Sequence, residues 1–245
     1  MIVTIYIIIL TYFIIGGAGF YFINRRKDRV EAGRNRTKYI TYFFIINVIF
    51  LSIALKPQLF HYLGLAIMVA GVGELVKLFR TSGFRNSTFF FLFLVLYLFL
   101  CAGFYRYSLM DRNLVLFTFL VLSVFDAFSQ ISGQLLGKTR IFPSVSPQKT
   151  LEGLAGGVLV ALATSVLMIQ LVPYQAYKSI LLGAGIVLFA FIGDTATSVY
   201  KRKYGVKDFS NLIPGHGGVL DRFDSLLSGG AFVALADLAG FLQVY

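Results

Sequence analysis

Long apolar runs, interrupted at short intervals by clusters of charge, glycine or proline, divide the chain into eight segments: roughly 2–24, 39–56, 58–79, 88–105, 114–136, 152–172, 179–198 and 226–243. None alternates with period two, and a lipid-exposed backbone must satisfy its own hydrogen bonds, so each run predicts a spanning helix rather than a barrel strand. Breakers fall between the runs: Pro57, Ser82-Gly83, Pro143, Pro147 and Pro173. At 1.5 Å per residue the first run covers a hydrocarbon core of about 30 Å. It lacks a basic start and a small-residue cleavage site, so it reads as a retained helix.

Composition agrees with the pattern. Hydrophobic residues make up 58% and charged residues 13%, against about 25% charged in soluble domains. The mean hydropathy is +0.80. The expected fold is all-α, a polytopic bundle of about eight transmembrane helices. The single Cys101 excludes an internal disulfide and a cysteine-based zinc site. A net charge of +11, in so apolar a chain, points to topology, anionic lipid and an anionic substrate rather than to nucleic acid.

Orientation follows from the cations. With the first loop cytoplasmic, the inner loops hold 17 Lys and Arg residues and the outer loops only Lys56, Arg106, Arg112 and Lys178. Both termini are then outside, and the two elaborate loops, 137–151 and 199–225, face the cytoplasm. The first four helices are poor in polar groups, and the second half is richer in Gly, Ser, Thr and Asp. We therefore divide the chain into residues 1–113, an apolar scaffold that faces lipid or a second copy, and 114–245, helices and loops that carry the chemistry.

Ionisable residues inside apolar runs are costly and mark function by default. Glu74 and Lys77 lie one turn apart and read as a mutually neutralising structural pair. Asp126, Asp194 and Asp237 have no cation in their own runs. Asp237, near the middle of the last run, suits either a bundle-interior hydrogen bond or a functional role. Asp194 and Ser198 share one helical face, with Lys201 and Arg202 following. Asp221 and Asp224 share a face if the last helix begins near Val219. Carboxylates from different helices converging at a membrane surface suit a hard cation such as magnesium, although a helix start also attracts carboxylates as caps. Gly215, Gly217 and Gly218 free the backbone to present N–H groups to an anion, and Lys207, His216 and Arg222 add donors. In the other loop, Ser146-Pro147 resembles a turn and helix entry. Lys149 and Thr150 sit at a helix N-terminus, which suits phosphate or an ordinary cap. No Walker loop, HExxH, GxSxG or kinase loop is present. The set suits phosphoryl or nucleotidyl transfer, which needs positioning and charge neutralisation more than a protein nucleophile.

The stretch SVYKRKYGVKDFSNLIPGHGGVLDRFD, Ser198 to Asp224, resembles the C-terminal motif of phosphatidate cytidylyltransferases, the CDP-diacylglycerol synthases. Tyr200 stands where an aliphatic residue is usual. SPQKTLEG, Ser146 to Gly153, resembles a second hallmark. A third, looser match starts at Asp126 and includes Gly133, Gly137 and Lys138, with Ser129, Gln130 and Gln134 departing from the pattern. The resemblance covers about residues 120–245. It implies a helical membrane bundle forming a homodimer in a bacterial inner or plasma membrane. The implied reaction is CTP plus phosphatidate giving CDP-diacylglycerol and pyrophosphate, with magnesium and room for a second, monovalent cation. It implies Asp194 and Asp221 as chief metal ligands, with Asp224 close by and with Lys207 and His216 in the catalytic set. Ser146, Lys149, Thr150, Ser198, Lys201, Arg202, Asp208, Gly217, Gly218 and Arg222 would bind substrate. A lipid phosphate is already ionised near neutral pH, so His216 is read as a hydrogen-bonding or loop-structuring residue rather than a required base.

Two rival readings stay open. One keeps the fold and changes the acceptor to another lipid phosphate or a polyprenol; the Ser146–Gly153 match favours phosphatidate. The other, an ion-coupled transporter with a site at Asp126, Asp194 and Asp237, requires inverted repeats and a polar path, and the chain shows neither.

Overall fold

The computed structural model describes residues 2–25, 27–215 and 217–242. The apolar runs fold as eight helices: α1 (Ile2–Asn24), α2 (Arg29–Leu55), α3 (Pro57–Thr81), α4 (Ser87–Tyr107), α5 (Arg112–Leu136), α6 (Leu151–Leu167), α7 (Ala176–Lys203) and α8 (Leu220–Leu238). Among the described residues, α1 to α5 and α7 are long and apolar enough to cross a membrane, while α6 is shorter. The chain is a polytopic helical membrane protein. Large apolar side chains such as Ile14, Leu92, Val95 and Leu159 are exposed on the outside, as a lipid-facing surface allows and a watery one disfavours.

Helix ends depart from the runs wherever a distant or local partner satisfies free N–H groups. α2 starts ten residues before its apolar run because the Asp28 carboxylate accepts from the Glu31 N–H at 2.7 Å. α6 begins where the Thr150 hydroxyl accepts from the Gly153 N–H at 3.2 Å, and it ends at Leu167 with a 3-10 turn over Ile169–Leu171. α8 begins at Leu220, earlier than its apolar run. It ends at Leu238, short of that run's end at 243, which puts Asp237 in its last turn rather than mid-helix, paired with Arg106 of α4 at 2.9 Å. Loop 137–151 is not irregular: β1 (Arg140–Phe142) and β2 (Ser146–Thr150) form an antiparallel hairpin. Ser146 and Pro147 are thus strand residues rather than a helix entry, and the turn lies at 143–145. The Glu152 carboxylate accepts from the Lys138 and Thr139 amides and anchors the hairpin to α6.

α5 is buried almost continuously from Leu114 to Phe125. Small residues let its neighbours approach closely, as association within lipid requires. Gly156 and Gly157 of α6 lie against Ser132 and Ser129 of α5, and Gly193 of α7 lies against Ser228 of α8. On α8, a Cβ at Gly230 would stand 2.6 Å from the buried Tyr107 ring and 2.8 Å from that of Phe104. Gly73 of α3 faces open space. Gly230→Ala should therefore lower stability by about 1–3 kcal/mol through overpacking. Gly73→Ala should be neutral or stabilising by up to about 1 kcal/mol. Thermal unfolding of the two variants in detergent compares them directly.

Candidate functional site

The polar residues of the second half gather at one end of the bundle, where the hairpin meets the α7–α8 connection. Arg202, in the last turn of α7, joins them: its Nε donates to Val145 O and one Nη to Val206 O, each at 2.9 Å. Lys149, at the end of β2, reaches α7. Its Nζ lies 2.9 Å from Asp194 Oδ2, donates to Thr195 Oγ1 at 2.9 Å, and sits over the Phe191 ring.

Nearer the C-terminal end of α7, the Lys201 ammonium and the Asp221 carboxylate form an ion pair at 2.5 Å, with side chains 10% and 4% exposed. Asp221 Oδ2 also accepts from the Phe209 and Gly218 amides at 2.7 and 2.8 Å. Lys201 lies over the Phe209 ring. Burial of such a pair is tolerated only when the remaining donors and acceptors are satisfied, and here both carboxylate oxygens are. Asp224, buried, accepts from Thr197 Oγ1 at 2.5 Å and from its neighbour's amide, Ser225 N–H, at 2.8 Å. Asp194 and Asp224 are near enough for their charges to interact. Asp126 of α5 feels the charges of Asp194, Lys149 and Arg222.

Glu74 is the residue the sequence misleads about. It does not pair with Lys77, which is exposed. Its buried carboxylate accepts from Val219 N–H at 3.0 Å, Leu220 N–H at 2.8 Å and Ser210 Oγ at 2.7 Å. A carboxylate 145 residues upstream thereby caps α8 and fixes the start of the helix that carries Asp221 and Asp224. Gly218 exists for this contact, since a Cβ there would collide with the Glu74 carboxylate. Tyr200, the departure within the motif, is explained by the same helix: its hydroxyl donates to Leu75 O at 3.1 Å.

A cavity of about 920 Å³ opens beside this cluster. Its polar end includes Lys207, Asp208, Gly217, Arg222 and Asp126, and its apolar end is walled by α1, α2 and α5. The Arg222 guanidinium lies 5.1 Å from the centre of the Tyr42 ring. Gly217 adopts φ +80°, which a glycine takes without strain, and its carbonyl accepts from the Ile213 N–H at 2.7 Å, closing the loop.

The expected site residues therefore fall into two groups. Asp194, Asp221, Asp224, Lys149 and Lys201 form the ion-paired cluster, while Lys207, Asp208, Gly217 and Arg222 line the cavity. Ser198 is buried on α7. Gly218 donates to Asp221, Thr150 caps α6, and Ser146 pairs with Phe142 in the hairpin. His216 lies outside the described residues. The sequence reading missed Glu74 as a cap, Thr197 as the partner of Asp224, and Tyr42. Only Thr197 carried a signal, being one helical turn beyond Asp194.

The donor set fits a hard cation in its chemistry, since all three aspartates offer oxygen. Among the described residues, no three carboxylate, imidazole or thiol groups stand close enough to cage a metal ion by themselves. Magnesium is usually bound through one or two carboxylates together with substrate phosphates, and Asp194 with Asp224 fits that need. Asp221 is already engaged on both oxygens.

Residues 86–238 match the cytidylyltransferase family, a stretch that holds the hairpin, the ion-paired cluster and all of α8. The chain belongs to the cytidylyltransferase family. Similar curated proteins include the phosphatidate cytidylyltransferases of Staphylococcus aureus (strain COL), 37% identical over 126 residues, and of Staphylococcus saprophyticus, 40% over 127. Those alignments cover 51% and 50% of this chain and 48% and 49% of the relatives. That of Staphylococcus epidermidis is 42% identical over 115 residues, 46% of this chain and 44% of the relative. The chain spans about half the length of the curated relatives it matches. α1, α2 and α3, including Glu74, lie outside the residues matched to the cytidylyltransferase family.

The Glu74 cap makes a sharp prediction. Glu74→Ala removes three hydrogen bonds, one from the buried Leu220 amide and two from the half-buried Val219 and Ser210, and a buried donor left unmade costs about 1–3 kcal/mol. Hydrogen exchange of the amides at 218–222 should accelerate at least about tenfold. Lys77→Ala should leave those amides unchanged.

Proposed function

We propose that the protein transfers a cytidylyl group from CTP to phosphatidate, giving CDP-diacylglycerol and pyrophosphate, at the cytoplasmic face of a bacterial cell membrane. The observation that carries this reading is the adjacency of two environments. A cluster of aspartates and lysines suited to a polyphosphate stands beside a cavity that is polar at one end and apolar at the other. Membership of the cytidylyltransferase family supports the nucleotide, and the Staphylococcus relatives support the acceptor. The excess of Lys and Arg in the loops at this end supports the cytoplasmic face.

In this mechanism an oxygen of the lipid phosphate attacks the α-phosphorus of CTP in line. The new P–O bond forms as the bond to the β-phosphate oxygen breaks, and pyrophosphate leaves with the electron pair. The acceptor is already anionic, so no protein base need remove a proton, and His216 keeps a loop-structuring or hydrogen-bonding role. Bound magnesium would supply charge neutralisation for the triphosphate and the departing pyrophosphate. Asp194 and Asp224 would hold it, with Asp221 completing the set where Lys201 is drawn to phosphate. Lys149 and Lys201, now spent on neutralising Asp194 and Asp221, are positioned to exchange those carboxylates for phosphate oxygens. Lys207 and Arg222 face the cavity and would bind the phosphate that enters there. Arg202 holds the hairpin against the α7–α8 connection.

Asp194→Asn is the cleaner probe of this site. Its side chain is 40% exposed, whereas Asp221→Asn would strand the buried Lys201, a loss on the order of 3–5 kcal/mol. With purified protein in mixed micelles, α-labelled CTP and a panel of lipid phosphates, phosphatidate should yield labelled CDP-diacylglycerol and one pyrophosphate per turnover. Asp194→Asn should lower kcat by about 100-fold or more, the scale of losing a metal's charge stabilisation, while unfolding as the wild type does. Product from another acceptor and none from phosphatidate would overturn the reading.

A further inference from the structure

α2 carries a stripe that the sequence pattern hid inside a topological signal. Lys38, Tyr42 and Ile46 recur every four residues, so they share one helical face, and all three line the large cavity. Over about 12 Å along the helix axis, this face passes from cation to aromatic ring to aliphatic chain. The opposite wall follows the same order. Lys207 and Arg222 stand at the polar end, and Phe119 and Leu120 of α5 at the apolar end. α1 is fixed against α2 by the Tyr39 hydroxyl, which donates to Phe13 O at 2.8 Å. Phe13 and Ile9 thereby continue the apolar wall.

The charge at the polar end is unbalanced. Lys38 feels the charges of Lys207, Arg222 and Asp208. Among the described residues, none of these three cations has a carboxylate within ion-pairing distance. Arg222 is stacked on Tyr42 instead. These three cations share the cavity with two carboxylates, Asp126 and Asp208, neither in an ion pair with them, so the polar end keeps a net positive charge that an entering anion would balance. α2 runs close to the glycine loop here: a Cβ at Gly215 would lie 3.2 Å from Lys38 Cγ.

We propose that Lys38, with Lys207 and Arg222, binds the phosphate monoester of the acceptor lipid, the acyl chains descending the face that continues through Tyr42 and Ile46. Lys38 is thus a specificity-determining residue contributed by α2, outside the residues matched to the cytidylyltransferase family. The assignment deepens the function proposed above and rests on it for the identity of the lipid. The same charge would attract a nucleotide phosphate. Only a lipid has an apolar tail to fill the rest of the stripe, so Lys38 belongs to the acceptor.

Binding and turnover separate the possibilities. Native mass spectrometry of the full chain released from detergent, with phosphatidate and diacylglycerol in competition, should show preference for phosphatidate. Lys38→Met should reduce that preference about tenfold or more, the scale of a charge-assisted hydrogen bond, and Lys38→Arg should restore most of it. In turnover, Lys38→Met should raise KM for phosphatidate by a similar factor and leave KM for CTP within about twofold. The inference is overturned if Lys38→Met keeps the wild-type preference, if the wild type shows none, or if KM for CTP rises instead. Should the wild type bind phosphatidate through Lys38 yet form no CDP-diacylglycerol, the proposed reaction fails and the lipid site stands.

Discussion

The buried ion pair between Lys201 and Asp221 is the constraint on which the rest of this end of the bundle depends. Neither charge could stay in so apolar a setting alone. The pair survives because Asp221 also takes two backbone amides, Phe209 and Gly218, which belong to the connection between α7 and α8. One carboxylate therefore fixes a lysine, a loop and the first turn of a helix together. Asp224 and Asp194 extend the arrangement, each with its own neutral or cationic partner. In the proposed function these are the groups that would meet phosphate and metal, and in the structure each is held by a partner within the chain. An entering polyphosphate can displace such partners without the protein having to build the site anew.

The assembly is not confined to the residues that resemble the family motif. α3 holds both motif helices at adjacent positions: Glu74 caps α8, and the Leu75 carbonyl receives the Tyr200 hydroxyl from α7. α2 completes the cavity and touches the glycine loop through Lys38. An apparent division into an apolar scaffold and a chemical half thus understates the first helices. Their polar residues are few, and the few at this end serve the site.

Much of the fold was legible because hydropathy along a membrane helix is a one-dimensional signal. The eight runs became eight helices among the described residues, and both polar loops met at one end. What escaped were features set by partners distant in sequence. Glu74 looked satisfied by Lys77 one turn away, yet its donors lie 136 to 146 residues downstream. Asp237 left the middle of its helix because α8 ends at Leu238, where Arg106 of α4 pairs with it. The hairpin at 140–150 was unreadable because Ser-Pro-Gln-Lys-Thr has no alternating apolar pattern, and its pairing depends on the Glu152 anchor. The site residues were more legible individually than as a set. Sequence grouped the three aspartates around a metal, whereas each is held by a different partner, Lys149, Lys201 or Thr197.

The central claim is that the end of the bundle formed by the hairpin, the α7–α8 connection and the start of α8 receives the nucleotide. Hydrogen-exchange mass spectrometry of the full chain in lipid nanodiscs, with and without saturating CTP and magnesium, tests it most directly. The account predicts slowed exchange in 145–153 and 203–220, with no change at the opposite end around 106–112 and 168–175. Protection confined to that opposite end, or no protection in 203–220 while CTP is being consumed, would contradict it.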